Sequence, residues 1–123
     1  MQPLPIDQFF AYLPGALVRY WVLADCSDRI EHMSAGCFDL WELSATDIES
    51  YPAQLWGMVD ARDLPGFGEA VARSGRDLTD WFFEWRITTP SGRRKWLHGV
   101  GRPMREDDGG LLWHSFILDI TNT

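Results

Sequence analysis

The segment from Trp81 to Thr121 constrains the fold most. Three runs rich in branched and aromatic residues, WFFEWRIT (81–88), RKWLHGVGRPM (94–104) and LLWHSFILDIT (111–121), are separated by Pro90-Ser91-Gly92 and Asp107-Asp108-Gly109-Gly110. Residues of the second kind make tight turns, and runs of the first kind joined by such turns read as antiparallel strands. A second strand pair precedes them: ALVRYWVLA (16–24) leads through Asp25-Cys26-Ser27-Asp28 into RIEHMS (29–34).

Between Ala35 and Ser74 the pattern turns helical and broken, with Pro52, Pro65 and several glycines keeping each piece short. The longest candidate runs from Asp63 to Ser74; Pro65 stands near its start, where a missing N–H costs little, and Asp60 or Asp63 is placed to cap it. In PIDQFFAYL (5–13), Ile6, Phe9, Phe10 and Leu13 recur at helical spacing until Pro14-Gly15 ends the run. Helix, two strands, several short helices and three strands make an α+β architecture. The expectation is one five-stranded antiparallel sheet with short helices on one face, an N-terminal amphipathic helix, and a cavity between sheet and helices.

Composition narrows the function. A chain of 123 residues fits one domain, and seven Trp with seven Phe supply more ring area than one small core needs. Some rings are therefore expected to line a pocket or a partner surface. The net charge of −7, without a Lys/Arg stripe, argues against nucleic-acid binding. Cys26 and Cys37 lack metal-binding or redox spacing and read as free thiols of a cytoplasmic protein, the start carries no signal-peptide pattern, and no apolar run is long enough for membrane insertion. No nucleophile elbow, phosphate loop, HExxH or defining carboxylate pair is present, so no catalytic residue is assigned and the domain reads as non-enzymatic.

Four segments in order resemble the PAS sensory-box family over nearly the whole chain. LPGALVRYWVLADCSDRIEHMSAG resembles its opening hairpin, and MVDARDLPGF the step into its long helix, with Asp63 at that motif's final Asp. EWRITTPSGRRKWLHGVGRPMREDDGG resembles the closing hairpin, and Asp119-Ile120-Thr121 matches the terminal DIT triplet. Asp60-Ala61-Arg62 departs from the His-Pro-Asp of many members, and Gly66 and Gly68 are unusual for that helix. The resemblance implies a cap at 1–15, the PAS domain at 16–121, and at 122–123 the start of a linker to a C-terminal output domain. In members of this kind that output is a histidine kinase, a GGDEF diguanylate cyclase or another PAS domain.

Register taken from the resemblance turns Val18, Tyr20, Val22, Ile30, His32, Phe83, Trp85, Ile87, Leu97, Trp113, Ser115 and Ile117 toward the helices. Gly99 and Gly101 join that face, either leaving room for a ligand or accommodating Trp85 and Trp113. The candidate ligand-binding set is Tyr20, His32, Trp56, Trp85, Trp113 and Ser115. Two readings stand at this point: the rings cage a small organic molecule, or they fill the core. The resemblance does not imply a LOV-type flavin, because neither Cys26 nor Cys37 lies in an Asn-Cys-Arg-Phe-like segment. Nor does it imply haem, since His32, His98 and His114 fall on strands, and no metal-ligand spacing occurs.

Asp63 and Arg86 are candidates for an ion pair tying the long helix to the sheet, with two solvated charges as the alternative. Asp119 is the candidate for holding the exit to the output domain. The opposite face, with Trp21, Trp96, His98, His114 and Phe116, is too apolar to stay wet. The resemblance implies that it is covered by the N-terminal helix, through Phe9, Phe10 and Leu13, and by a second copy in a homodimer.

Overall fold

The computed structural model describes residues 15–31, 34 and 36–121. The expected helix at 5–13 with Phe9, Phe10 and Leu13, the candidate His32, and residues 122–123 lie outside the described residues. In chain order the elements are β1 (Gly15–Val22), β2 (Asp28–Glu31), α1 (Cys37–Trp41), α2 (Ala45–Ser50), α3 (Ala53–Met58), α4 (Leu64–Asp77), β3 (Trp81–Thr88), β4 (Arg94–Arg105) and β5 (Leu111–Asp119).

The strands form one sheet in the order β2-β1-β5-β4-β3, with every neighbouring pair antiparallel. Local turns make three of the four pairings. Gly92 and Gly109 adopt φ of +91° and +90°, which side chains resist, and so close the β3–β4 and β4–β5 turns. In the β1–β2 turn Cys26 takes φ +70°, and the Asp25 carboxylate accepts from the Ser27 N–H at 2.9 Å. The fourth pairing joins the first strand to the last, from Gly15 opposite Leu118 to Val22 opposite Leu111.

The helices are short for identifiable reasons. Ser44 caps α2 by accepting from the Asp47 N–H at 3.1 Å, and Pro52 stands immediately before α3. Helix α4 accommodates Pro65 in its first turn, passes through Gly66 and Gly68 unbroken, and ends at Leu78 in a left-handed conformation. The expected cap is corrected here: the Asp63 side chain makes no cap bond and reaches the sheet instead. At the end of α1, Glu42 also turns left-handed and fastens the helix to the β3–β4 turn, accepting from the Ser91 N–H at 2.9 Å and the Thr89 hydroxyl at 3.0 Å.

The buried core lies between one face of the sheet and the four helices. Val18, Ile30, Trp85, Ile87, Leu97, Trp113 and Ile117 from the strands meet Leu40, Trp41, Ile48, Leu55 and Phe67 from the helices. Tyr20, Val22 and Phe83 pack against them, so each described residue expected on this face is there.

Candidate functional site

Strand parity and three helices, α1, α3 and α4, converge on a small cavity. Its volume is about 70 Å³, and its walls include Tyr20, Trp56, Phe67, Trp81, Trp85, Trp113 and Ser115. Five of the six candidate ligand-binding residues are thereby brought together; the sixth, His32, lies outside the described residues. Six wall residues, Trp41, Leu55, Val59, Phe67, Val71 and Trp81, went unassigned from sequence. Trp81 shares the parity of Phe83 and Trp85, so alternation alone could have found it. Phe67 is the hub of the rings, with centroids 4.6 Å from Trp85, 5.3 Å from Trp56 and 5.6 Å from Trp81. It comes from α4, where its spacing with Val71 and Ser74 could have placed it on the inner face.

Gly99 and Gly101 leave no vacancy. A Cβ on Gly99 would lie 2.6 Å from the Trp81 ring and 2.9 Å from that of Trp85. One on Gly101 would lie 2.2 Å from Trp81 Nε1 and 2.3 Å from Ser115 Oγ. The expectation that Trp113 sits over these glycines is corrected: its ring packs over Gly75 of α4, 3.0 Å from where a Cβ would stand. The cavity is what the rings leave over. For comparison, a cavity of roughly 150 Å³ admits benzene, so in this conformation the space is smaller than a single-ring site and far too small for haem or a flavin.

The indole N–H groups and the phenol around it each find an acceptor. Trp81 Nε1 donates to Ser115 Oγ and Trp113 Nε1 to Ser74 Oγ, both at 3.0 Å and buried. Tyr20 Oη and Trp56 Nε1 both donate to Asp28 Oδ2, at 2.9 and 3.3 Å. Burial, then the charge and the hydrogen bond of Asp28, push the Tyr20 phenol well above its ordinary pKa and keep it a neutral donor. Outside the wall formed by Tyr20, Trp56, Phe67, Val71 and Trp113 lies an open groove of about 490 Å³, bounded also by Val22, Leu64, Ala72 and Leu111.

The Asp63–Arg86 pair forms. Its carboxylate accepts from the Arg86 backbone N–H at 2.8 Å, from Nε at 2.9 Å and from Nη2 at 2.8 Å. These hydrogen bonds, the guanidinium's first, hold the Asp63 carboxyl below the usual carboxylate range. The Asp63 side chain is 13% exposed, which separates the pair from two solvated charges. Beside it, Asp60 N–H donates to the Arg86 carbonyl, and the guanidinium lies 5.0 Å from the centre of the Trp96 ring.

At the end of β5, Asp119 Oδ1 accepts from the Thr121 N–H at 2.9 Å and from its hydroxyl, while Thr121 Oγ1 accepts from the Trp96 N–H at 3.1 Å. Its other oxygen is 3.9 Å from Lys95 Nζ. Lys95 is only 5% exposed and donates to the carbonyls of Asp39 and Leu40 in α1. Sequence reading missed this residue because three consecutive cations look like a solvated turn. Parity with Leu97, however, points it inward.

On the outer face Phe82 is 62% exposed, and Trp96 and Val100 also face solvent. His98 pairs with Glu84 at 2.9 Å and abuts Phe82; His114 is exposed and Phe116 half-buried. Both histidines are thus on the side of the sheet away from the cavity. Trp21 differs from its outer-face neighbours. It is 9% exposed, with the guanidiniums of Arg19 and Arg29 each 4.8 Å from its ring. Among the described residues no helix is long and apolar enough to cross a membrane, and no three His, Cys, Asp or Glu side chains cluster as metal ligands.

No family model and no curated protein matches the sequence. Solved structures do match the fold. A PAS domain from Colwellia psychrerythraea superposes with a TM-score of 0.71 at 18% identity, over 96% of each chain. The N-terminal domain of a diguanylate cyclase with PAS/PAC sensor from Marinobacter aquaeolei gives 0.68 at 13% identity, over 85% of this chain and 95% of that one. A sensory box histidine kinase/response regulator from Burkholderia thailandensis gives 0.63 at 13% identity, over 86% and 78%. The chain has the PAS fold.

Proposed function

We propose that this PAS-fold chain is a non-catalytic sensory module of a bacterial signalling protein. It binds a small organic ligand between sheet and helices and controls a C-terminal output domain, a histidine kinase or a diguanylate cyclase, as a cytoplasmic homodimer. The observation that carries the reading is the continuity from cavity to strand exit. Helix α1, whose Trp41 lines the cavity, offers two carbonyls to Lys95, and Lys95 faces Asp119 at the end of β5. A change of cavity occupancy that moves α1 therefore moves the junction from which the chain leaves the sheet. Dimerisation is supported by the exposed Phe82, Trp96 and Val100 beside His98, His114 and Phe116. A ligand-free dimerisation scaffold is the second reading, favoured by the way Trp81 and Trp85 fill the space over Gly99 and Gly101.

Native mass spectrometry of freshly purified protein, with an absorbance spectrum from 300 to 700 nm, tests this directly. A dimer with added mass supports the sensor, and a clean dimer the scaffold. A monomer without cargo at tens of micromolar contradicts both. In the full-length protein, Asp119→Ala is expected to uncouple stimulus from output while leaving the fold intact, because the hydrogen bonds it removes are exposed. Unchanged regulation together with an unchanged melting temperature would reject the relay role.

A further inference from the structure

The wall between cavity and groove hangs on one carboxylate. Tyr20 projects from β1 and Trp56 from α3; they meet edge to face at 5.8 Å, and both donate to Asp28 Oδ2. Each lines the cavity on one side and the groove on the other. Asp28 is exposed at the start of β2, so water competes for its oxygens and each bond contributes little net stability. Releasing Trp56 would join about 70 Å³ of cavity to about 490 Å³ of groove.

Inside, the donors are almost fully engaged. The N–H groups of Trp81 and Trp113 are held by the two serines, and Ser74 donates onward to the Thr79 carbonyl. Ser115 differs. Its Oγ accepts from Trp81, and its own hydrogen meets no acceptor among the described residues. A hydroxyl carries one donor, and a buried one left idle is costly. Among the described residues no charged side chain lines the cavity, so an ionic ligand there would lose its hydration without a counter-charge. The ring faces and edges of Phe67, Trp85 and Trp113 favour an aromatic guest.

The geometry points to an uncharged, single-ring aromatic molecule with one hydrogen-bond acceptor as the ligand, anchored on the Ser115 hydroxyl and admitted past Tyr20 and Trp56 when they release Asp28. This rests on the reading that the cavity takes a small ligand, and names its chemistry and its gate.

Acetophenone and α-methylstyrene have nearly the same shape, but only the first carries an acceptor; benzoate adds a charge. Titrating each into protein with ¹⁵N-labelled indoles is expected to move the Trp56 and Trp81 signals with acetophenone and to show no binding of benzoate. In Ser115→Ala the acetophenone-to-α-methylstyrene affinity ratio should fall about fivefold, the worth of one hydrogen bond. Taking a ratio cancels the probes' different hydrophobicity. Asp28→Ala, remote from the anchor, should bind acetophenone faster and about fivefold more tightly, because closing the gate no longer competes with binding. A ratio unchanged by Ser115→Ala, equal binding of benzoate, shifts confined to Trp21 and Trp96, slower or weaker binding by Asp28→Ala, or no binding of any probe would each overturn the inference. Cargo of another chemistry in the native mass spectrum would leave the sensory reading standing while rejecting this one. If Ser115→Ala does not fold, the Asp28→Ala result decides.

Discussion

Gly101→Val is expected to lower the stability of the domain by about 3 kcal/mol, the combined cost of overpacking and of a buried hydrogen bond broken on both sides. Any Cβ at this position falls 2.2 Å from Trp81 Nε1 and 2.3 Å from Ser115 Oγ, atoms that are bonded to each other in the interior. The indole must turn away, leaving its N–H and the serine hydroxyl without partners. Valine's preference for strands recovers at most about 1 kcal/mol. For a domain of this size the midpoint should drop by more than about 10 °C in thermal unfolding. Gly68→Ala is the matched control. Its Cβ meets nothing within 4 Å on α4, and the change should be neutral or stabilising by a few tenths of a kcal/mol, up to about 1. If both variants melt alike, the ring packing described at Gly101 is wrong.

Asp63→Ala is expected to cost about 2 kcal/mol at neutral pH, since one half-buried carboxylate receives three hydrogen bonds, one from a backbone N–H of β3. The pH dependence has a definite sign. The Asp63 carboxyl is held below its ordinary value in the folded state, so the unfolded chain takes up its proton first as pH falls. The contribution is complete above the unfolded pKa of about 3.9 and is lost as pH falls through the lower folded value. Denaturant unfolding of wild type and variant should therefore give a gap that is constant from pH 7 to about pH 5 and narrows below about pH 4. A gap that persists into strong acid would mean that the loss comes from packing rather than from the charged carboxylate.

Much of the fold was readable from local chemistry. Trp81 to Thr121 alternates with period two between turn residues, so three strands and two turns follow from neighbouring residues alone. The Asp63–Arg86 pair was also legible, because the long-helix entry and the closing hairpin each resemble a known motif with a charge in place. Most cavity residues that a strand supplies were found, as with Tyr20, Trp85, Trp113 and Ser115, although Trp81 of β3 was missed. Phe67 was not assigned, although Phe67, Val71 and Ser74 recur at helical spacing and share the buried face of α4. Lys95 was hidden by composition: a cation in Arg93-Arg94-Lys95 reads as solvated until the carbonyls that receive it come into view. Asp63 was given two roles, cap and ion pair, and took the second, its carboxylate accepting from the Arg86 backbone N–H and from two nitrogens of its guanidinium.

What the sequence determined by itself was the division of side chains into two faces of each strand, and the places where the chain turns. Both are properties of residues a few positions apart: the pleat repeats every two residues, and a turn needs one or two with the right backbone freedom. The tertiary structure alone decided that β1 runs beside β5, that Trp81 and Trp85 occupy the space over Gly99 and Gly101 while Trp113 settles over Gly75, and that one exposed aspartate holds both Tyr20 and Trp56. Each of those facts joins segments far apart in the chain. Which distant partner a ring or a strand edge takes depends on the shape left by everything else packed around it, and no local period encodes that shape.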